Sequence, residues 1–185
     1  MKKTVLFAMI LGLAASSALA AHKNQPDAAK PAPSDSPWIV GIGPLVAAPM
    51  NDINTSYHAA FGGKIYLGYA LSRDWRVQLD LDNVYYSNNP LSDYELRILP
   101  CLKYMVGRGD LRPYLMAGMG VDMQFVSASG QTATGTSLEE SVGLGAQYRL
   151  SQQTFVFVEG KYSFTFSTGV MGEDLPVIAG LEFGI

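Results

Sequence analysis

Trp75-Arg76-Val77-Gln78-Leu79-Asp80-Leu81-Asp82 alternates apolar and polar residues without a break. Successive side chains of a β-strand point to opposite faces, so this stretch reads as a strand with one apolar and one polar face. The same period runs outward in both directions. Ile65, Leu67, Tyr69 and Leu71 form one apolar row before it, and Leu96, Ile98, Leu102 and Tyr104 form one after it. Leu115, Ala117, Met119, Val121, Met123 and Phe125 make a longer row. Val142 to Leu150 and Val156 to Phe166 follow, and Val177, Ala179, Leu181, Phe183 and Ile185 close the chain. With a first strand from about Trp38 to Val46, the pattern predicts eight strands.

The connections alternate in length. Ser72-Arg73-Asp74, Val106 to Leu111, and Ser151-Gln152-Gln153 read as tight turns. Ala48 to His58, Ser87 to Asp93, Val126 to Ser137, and Ser167 to Asp174 read as longer loops. Short turns on one side and long loops on the other are the pattern of an up-and-down barrel crossing a bilayer, with the turns and both termini in the periplasm. No mature segment is a helix long and apolar enough to span, and a bilayer tolerates strands only in a closed sheet. The expected fold is therefore all-β: an eight-stranded antiparallel up-and-down transmembrane β-barrel.

Volume decides which face meets lipid. Eight rows of Leu, Ile, Phe, Tyr and Trp would overfill so narrow a barrel, whereas the opposite rows suit it. Those rows carry Lys64, Arg76, Asp80, Asp82, Glu95, Arg97, Lys103, Arg149, Glu159, Lys161 and Glu182, interspersed with glycines that leave room. Buried ions are costly unless paired, so Arg97 and Lys161 are each expected beside a carboxylate. Trp38, Trp75, Tyr104 and Tyr148 fall where the periplasmic interface would lie, and Tyr85, Tyr94, Phe125 and Phe166 where the outer one would. Pro44 and Pro100 fall inside strands of a sheet with no free edge, so bulges or gaps in the ladder are expected there.

The N-terminus reads differently. Lys2 and Lys3, the apolar run from Val5 to Leu13, and Ala18-Leu19-Ala20 have the order of a secretory signal peptide, expected over residues 1–20. Residues 21–37, AHKNQPDAAKPAPSDSP, lack periodicity and read as a flexible periplasmic leader. The barrel domain is expected over 38–185. Loss of Lys2 and Lys3 takes the formal net charge from −3 to −5, which argues against a nucleic-acid partner. Cys101 is the only cysteine, so no intramolecular disulfide is available. With two histidines, His22 and His58, the chain offers no ordinary zinc site, and no cofactor is expected.

Arg112-Pro-Tyr-Leu-Met-Ala-Gly-Met-Gly, Gly143-Leu-Gly-Ala-Gln-Tyr-Arg-Leu and Phe157-Val-Glu-Gly-Lys-Tyr carry a resemblance to a known group. Over about Trp38 to Ile185 the chain resembles the small outer-membrane β-barrel proteins of the OmpA transmembrane-domain type. The resemblance implies a Gram-negative cell envelope, with outer-membrane lipid and lipopolysaccharide around the barrel. Gly180-Leu-Glu-Phe-Gly-Ile185 is similar to the C-terminal signal read by the barrel-insertion machinery, departing from it in the final Ile185 and in Ile178.

The expected role is non-enzymatic, structural or exercised at the surface, with a host or surface ligand for the outer loops. Two alternatives are distinct in chemistry. One is a lipid A-modifying enzyme with a rim site near His58, where Ser56, Asp93, Glu139 and Glu140 would supply a nucleophile and a carboxylate. Its difficulty is that His58 is followed by Ala59 and Ala60, without the His-x-Ser pattern of lipid A deacylases. The other is a narrow porin-like pore, which a charge-filled lumen would block. No residue is assigned a catalytic, cofactor-binding or metal role.

Overall fold

The structure, a computed structural model, describes residues 37–50, 60–88, 91–128, 131–167 and 170–185. The expected signal peptide, nearly all of the leader, and Ser56 and His58 lie outside the described residues. Eight strands follow in order: β1 (Trp38–Met50), β2 (Ala60–Ala70), β3 (Trp75–Asn88), β4 (Leu91–Met105), β5 (Leu111–Ala128), β6 (Gln131–Arg149), β7 (Thr154–Ser167) and β8 (Val170–Gly184). Each pairs antiparallel with its sequence neighbour, and β1 pairs with β8 to close the barrel. Closure leaves no strand of the wall with an open edge, the condition lipid imposes.

The register is staggered around the wall. A row of paired residues leaves β6 at Leu144 and passes Gly160, Val177, Val46, Phe61, Tyr85, Tyr94 and Phe125 before returning to β6 at Thr134. The row comes back ten residues from its start, which is the shear that tilts strands against the barrel axis.

The apolar rows face outward as the volume argument requires. Leu67, Leu79, Leu81, Leu102, Val142 and Val158 are all exposed, and others of these rows, such as Leu96, Ile98 and Phe164, are half-buried. Outside a membrane such a surface would far exceed what a soluble protein tolerates. Aromatic pairs mark the two edges of the band. Trp38 meets Tyr69 at 4.9 Å and Trp75 meets Tyr104 at 4.8 Å between ring centroids, near the chain termini. Tyr94 and Phe125 lie 6.0 Å apart at the other end. At the first edge the turns are tight and alike. Ser72 Oγ accepts from the amides of Asp74 and Trp75 (3.3 and 3.1 Å), and Ser151 Oγ from those of Gln153 and Thr154 at the same distances.

Three of the four outer connections are corrected. Ser87 to Asp93, Val126 to Ser137 and Ser167 to Asp174 are not long loops. The strands continue through them, with pairing as far as Asn88–Leu91, Ala128–Gln131 and Ser167–Val170. Among the described residues the β5–β6 hairpin stands highest: β6 pairs with β5 from Gln131 but with β7 only from Leu138. Residues Gln131 to Thr136 are exposed on both faces, so backbone pairing, with the Ser127–Thr132 hydroxyl contact at 3.1 Å, carries the strand there.

The prolines leave the gaps expected of them. Pairing of β1 with β8 stops at Ile42–Leu181 and resumes at Leu45–Ile178, skipping Pro44. Pairing of β4 with β5 stops at Ile98–Val121 and resumes at Cys101–Gly118, skipping Pro100. Pro176 also lies within a strand, and the β7–β8 ladder skips it between Gly160 and Ser163. Pro44 and Pro100 still pair with Gly63 and Leu79 on their other sides. Glycines face two of the gaps. A Cβ on Gly180 would stand 2.2 Å from the Ile42 carbonyl oxygen, and one on Gly120 2.0 Å from that of Ile98. Gly120→Ala is expected to cost about 1–3 kcal/mol, because its methyl meets backbone and not a movable side chain. Gly160→Ala, with open space around the added atom, should be neutral. Urea titration of the two variants in lipid vesicles measures the difference.

Candidate functional site

The polar rows converge on the lumen, where β2 to β8 set their charged residues in three layers. The central layer joins Lys64 and Lys161 to Asp80, Asp82 and Glu159. Lys64 Nζ donates to Asp80 Oδ2 and Glu159 Oε1, each at 2.6 Å. Lys161 donates to Asp82 and lies 3.7 Å from Asp80 Oδ2. Lys103 sits 3.8 Å from Glu159 Oε2 and stacks over Tyr114, 4.1 Å from its centroid. Tyr114 donates its hydroxyl to the same Glu159 oxygen at 3.0 Å, and the Cys101 thiol lies 3.5 Å from Asp80 Oδ2. Charges of both signs are thus matched inside a wall that excludes water.

Toward the periplasm, Arg76 Nη1 donates to Glu182 Oε1 at 2.8 Å and to Gln147 Oε1 at 3.1 Å. Tyr66 donates to the other Glu182 oxygen. Arg112 reaches the Arg73 carbonyl at 2.7 Å, tying the lumen to the β2–β3 turn. Toward the outside, Arg97 donates to Glu95, to Asp174 Oδ2 at 2.7 Å, and to the Tyr86 hydroxyl at 3.1 Å. Tyr86 in turn donates to Asp174 at 2.8 Å, and Glu139 lies 3.6 Å from Arg97 Nε. Arg97 and Lys161 therefore both have the carboxylates the sequence called for.

The lumen is plugged as well as paired. Arg97, Tyr66, Tyr114, Lys64, Lys103 and Phe157 are among the largest fully buried side chains. The inward aromatics and aliphatics, among them Tyr66, Tyr114, Phe155, Phe157, Leu99 and Ile178, were not singled out by the alternation. The sign that marks them is position: each shares the parity of the charged row on its strand.

The rim constellation imagined around His58 does not assemble among the described residues. Glu139 and Asp93 point into the lumen, while Glu140, adjacent in sequence to Glu139, is exposed on the lipid face. Neighbours on a strand diverge, so these two carboxylates cannot serve one site. Glu140 has Met119 and Phe164 beside it, and Glu173, also outside the lumen, accepts from the Tyr162 hydroxyl. No group of three or more His, Cys, Asp or Glu side chains among the described residues forms a metal cage.

Residues 6–181 match the outer membrane protein β-barrel domain family. No curated protein matches the sequence. Several solved structures share the fold. Neisserial surface protein A superposes with a TM-score of 0.69 at 18% identity, over 81% of this chain and 98% of that one. Ail, the attachment invasion locus protein of Yersinia pestis, gives 0.54 at 15% identity, over 79% and 97%. The outer membrane enzyme PagL gives 0.53 at 13% identity, over 78% and 99%. Surface proteins and an enzyme thus share one architecture, and at these identities the likeness speaks for the fold alone.

Proposed function

Since the chain belongs to the outer membrane protein β-barrel domain family, and so resides in the outer membrane, we propose that it is a non-enzymatic barrel whose role is structural or exercised at the outer surface. The observation that carries this reading is the plugged, ion-paired lumen, which supports a rigid barrel over an open pore. The outer strand ends, above all the Ser- and Thr-rich β5–β6 hairpin, are then the parts free to meet a surface ligand. The apolar band takes outer-membrane lipid and lipopolysaccharide as its surroundings. Leu181, Phe183 and Ile185, all on the exposed side of the last strand, are where the barrel-insertion machinery would read the chain.

The lipid A of cells with and without the protein tests the enzymatic alternative. Mass spectra are expected to be identical. An altered acyl pattern that reverts in His58→Ala would replace this reading with a lipid A-modifying activity. Planar bilayers holding the folded protein should likewise show no stable conductance steps.

A further inference from the structure

The outward face of the last three strands carries an anomaly. Glu140 is exposed on the lipid side of β6, and its outward neighbours are apolar on every side: Leu138 and Val142 along the strand, Met119 and Phe164 across it. It does not stand at the rim. Leu138, one outward position nearer the outer end, pairs with Val121 and Phe166, and all three are exposed apolar residues of the same band. A second carboxylate flanks the same ring. Phe164 pairs with Glu140 on one side and with Glu173 on the other. The two acids therefore stand either side of β7, two strand spacings or about 10 Å apart along the wall. Next to Phe164 on the same face, Tyr162 meets it edge to face at 4.7 Å between centroids, and the Tyr162 hydroxyl donates to Glu173.

A charged side chain facing hydrocarbon is costly, and a carboxylate held there calls for a partner of opposite charge. The barrel's own Lys and Arg do not supply it. Among the described residues they face the lumen, as Lys64, Arg97 and Lys161 do, or lie in the periplasmic turns, as Arg73 and Arg108 do. The segments that join the strands at the outer end (51–59, 89–90, 129–130 and 168–169) contain no Lys or Arg either. We propose that the Glu140–Phe164–Glu173 face is a docking surface for an outer-leaflet lipid whose headgroup carries a primary ammonium group. The ammonium sits over the Phe164 ring, attracted by the ring face and by a carboxylate from each side. Its three N–H donors serve both acids and leave one for water. A bare metal ion suits the face less well, because two carboxylates separated by a whole strand do not converge on one point. The acyl chains of the lipid run from there along Tyr162 and Val142 toward the middle of the band. The inference rests on the outer-membrane placement of the barrel and not on the surface role proposed above.

The test uses the mature chain folded in uncharged maltoside micelles, with lipids of matched acyl chains added and their retention counted by native mass spectrometry. Phosphatidylethanolamine is the probe. Its N-acetyl derivative, which lacks the ammonium group, and phosphatidylglycerol are the controls. Phosphatidylethanolamine is expected to bind at least about fivefold more tightly than either control. The double variant Glu140→Gln, Glu173→Gln should lose that preference, and Phe164→Leu should weaken it about threefold. All of these substitutions leave the lumen pairs untouched, so the variants should fold as the parent does, which heat-dependent electrophoretic mobility checks. Equal retention of phosphatidylethanolamine and its N-acetyl derivative by the parent, or an undiminished preference in the double variant, would overturn the proposal. Either result in a protein that still inserts into lipid vesicles leaves the membrane placement standing, whereas failure to insert would count against that placement and the docking surface together.

Discussion

Lys64→Met is expected to destabilise the barrel by about 3–5 kcal/mol, which is among the largest effects any single substitution in this chain should have. Lys64 is fully buried and holds Asp80 and Glu159 at 2.6 Å each. Methionine fills nearly the same volume, so the loss is electrostatic: two carboxylates stay in the lumen with their shared cation gone. Lys161, 3.7 Å from Asp80, already donates to Asp82, and Lys103, 3.8 Å from Glu159 and seated over Tyr114, would have to move closer, so the two compensate only in part. Adding Glu159→Gln to Lys64→Met should recover part of the loss, because it keeps the charges of the layer equal in number, although Lys103 then loses its one carboxylate. Urea unfolding in lipid vesicles, followed by electrophoretic mobility without boiling, reads both variants. Equal stability of Lys64→Met and the parent would mean that the central layer is protonated or hydrated rather than ion-paired.

Leu81→Arg should cost about 2–4 kcal/mol by a different route. Leu81 is 42% exposed and lies midway along β3, between the Trp75 and Tyr85 levels, where the surrounding medium is hydrocarbon. Its guanidinium would have no partner there and must bend toward an interface. The same substitution at Leu71, in the periplasmic turn region after β2, should cost less than about 1 kcal/mol, since it lies outside the apolar band. A contrast between the two positions locates the bilayer on the barrel. Equal costs would contradict the assignment of the outward face to lipid.

The eight strands and their facing were legible because β3 and its neighbours alternate without interruption. A buried face and a lipid face differ in polarity at every second residue, and that is a signal sequence carries directly. The outer strand ends were misread for the converse reason. From Gln131 to Thr136 both faces meet water, so no alternation survives although the backbone ladder continues. Ser, Thr, Gly and Ala without a period look like loop. The lumen was legible as to composition and not as to pairing. Arg97 could be expected to find a carboxylate, and Glu95 lies two residues away on the same face, but Asp174 as its partner depends on curvature, which brings β4 and β8 together across the interior. Of the carboxylates offered for a rim site near His58, Glu139 and Glu140 fall on opposite faces and could not both serve it, and Ser56 and His58 lie outside the described residues.

The pairs across the lumen also bear on the order of events as the protein is made. Lys64 and Glu159 are 95 residues apart, Arg76 and Glu182 106, and Tyr66 and Glu182 116. Neighbouring hairpins can zip locally, but these partners meet only when the first strands and the last are in place together. Contacts so distant in the chain slow folding, because the chain must be ordered before they repay it. Neutralisation of these distant pairs is thus a late step, whereas Lys64–Asp80 and Arg97–Glu95 can form locally. A nascent chain with its hairpins formed but its seam open still exposes those charges, and is better suited to water than to lipid. Insertion and closure must then be nearly simultaneous, and a chain that lost its last strand would have no route into the bilayer.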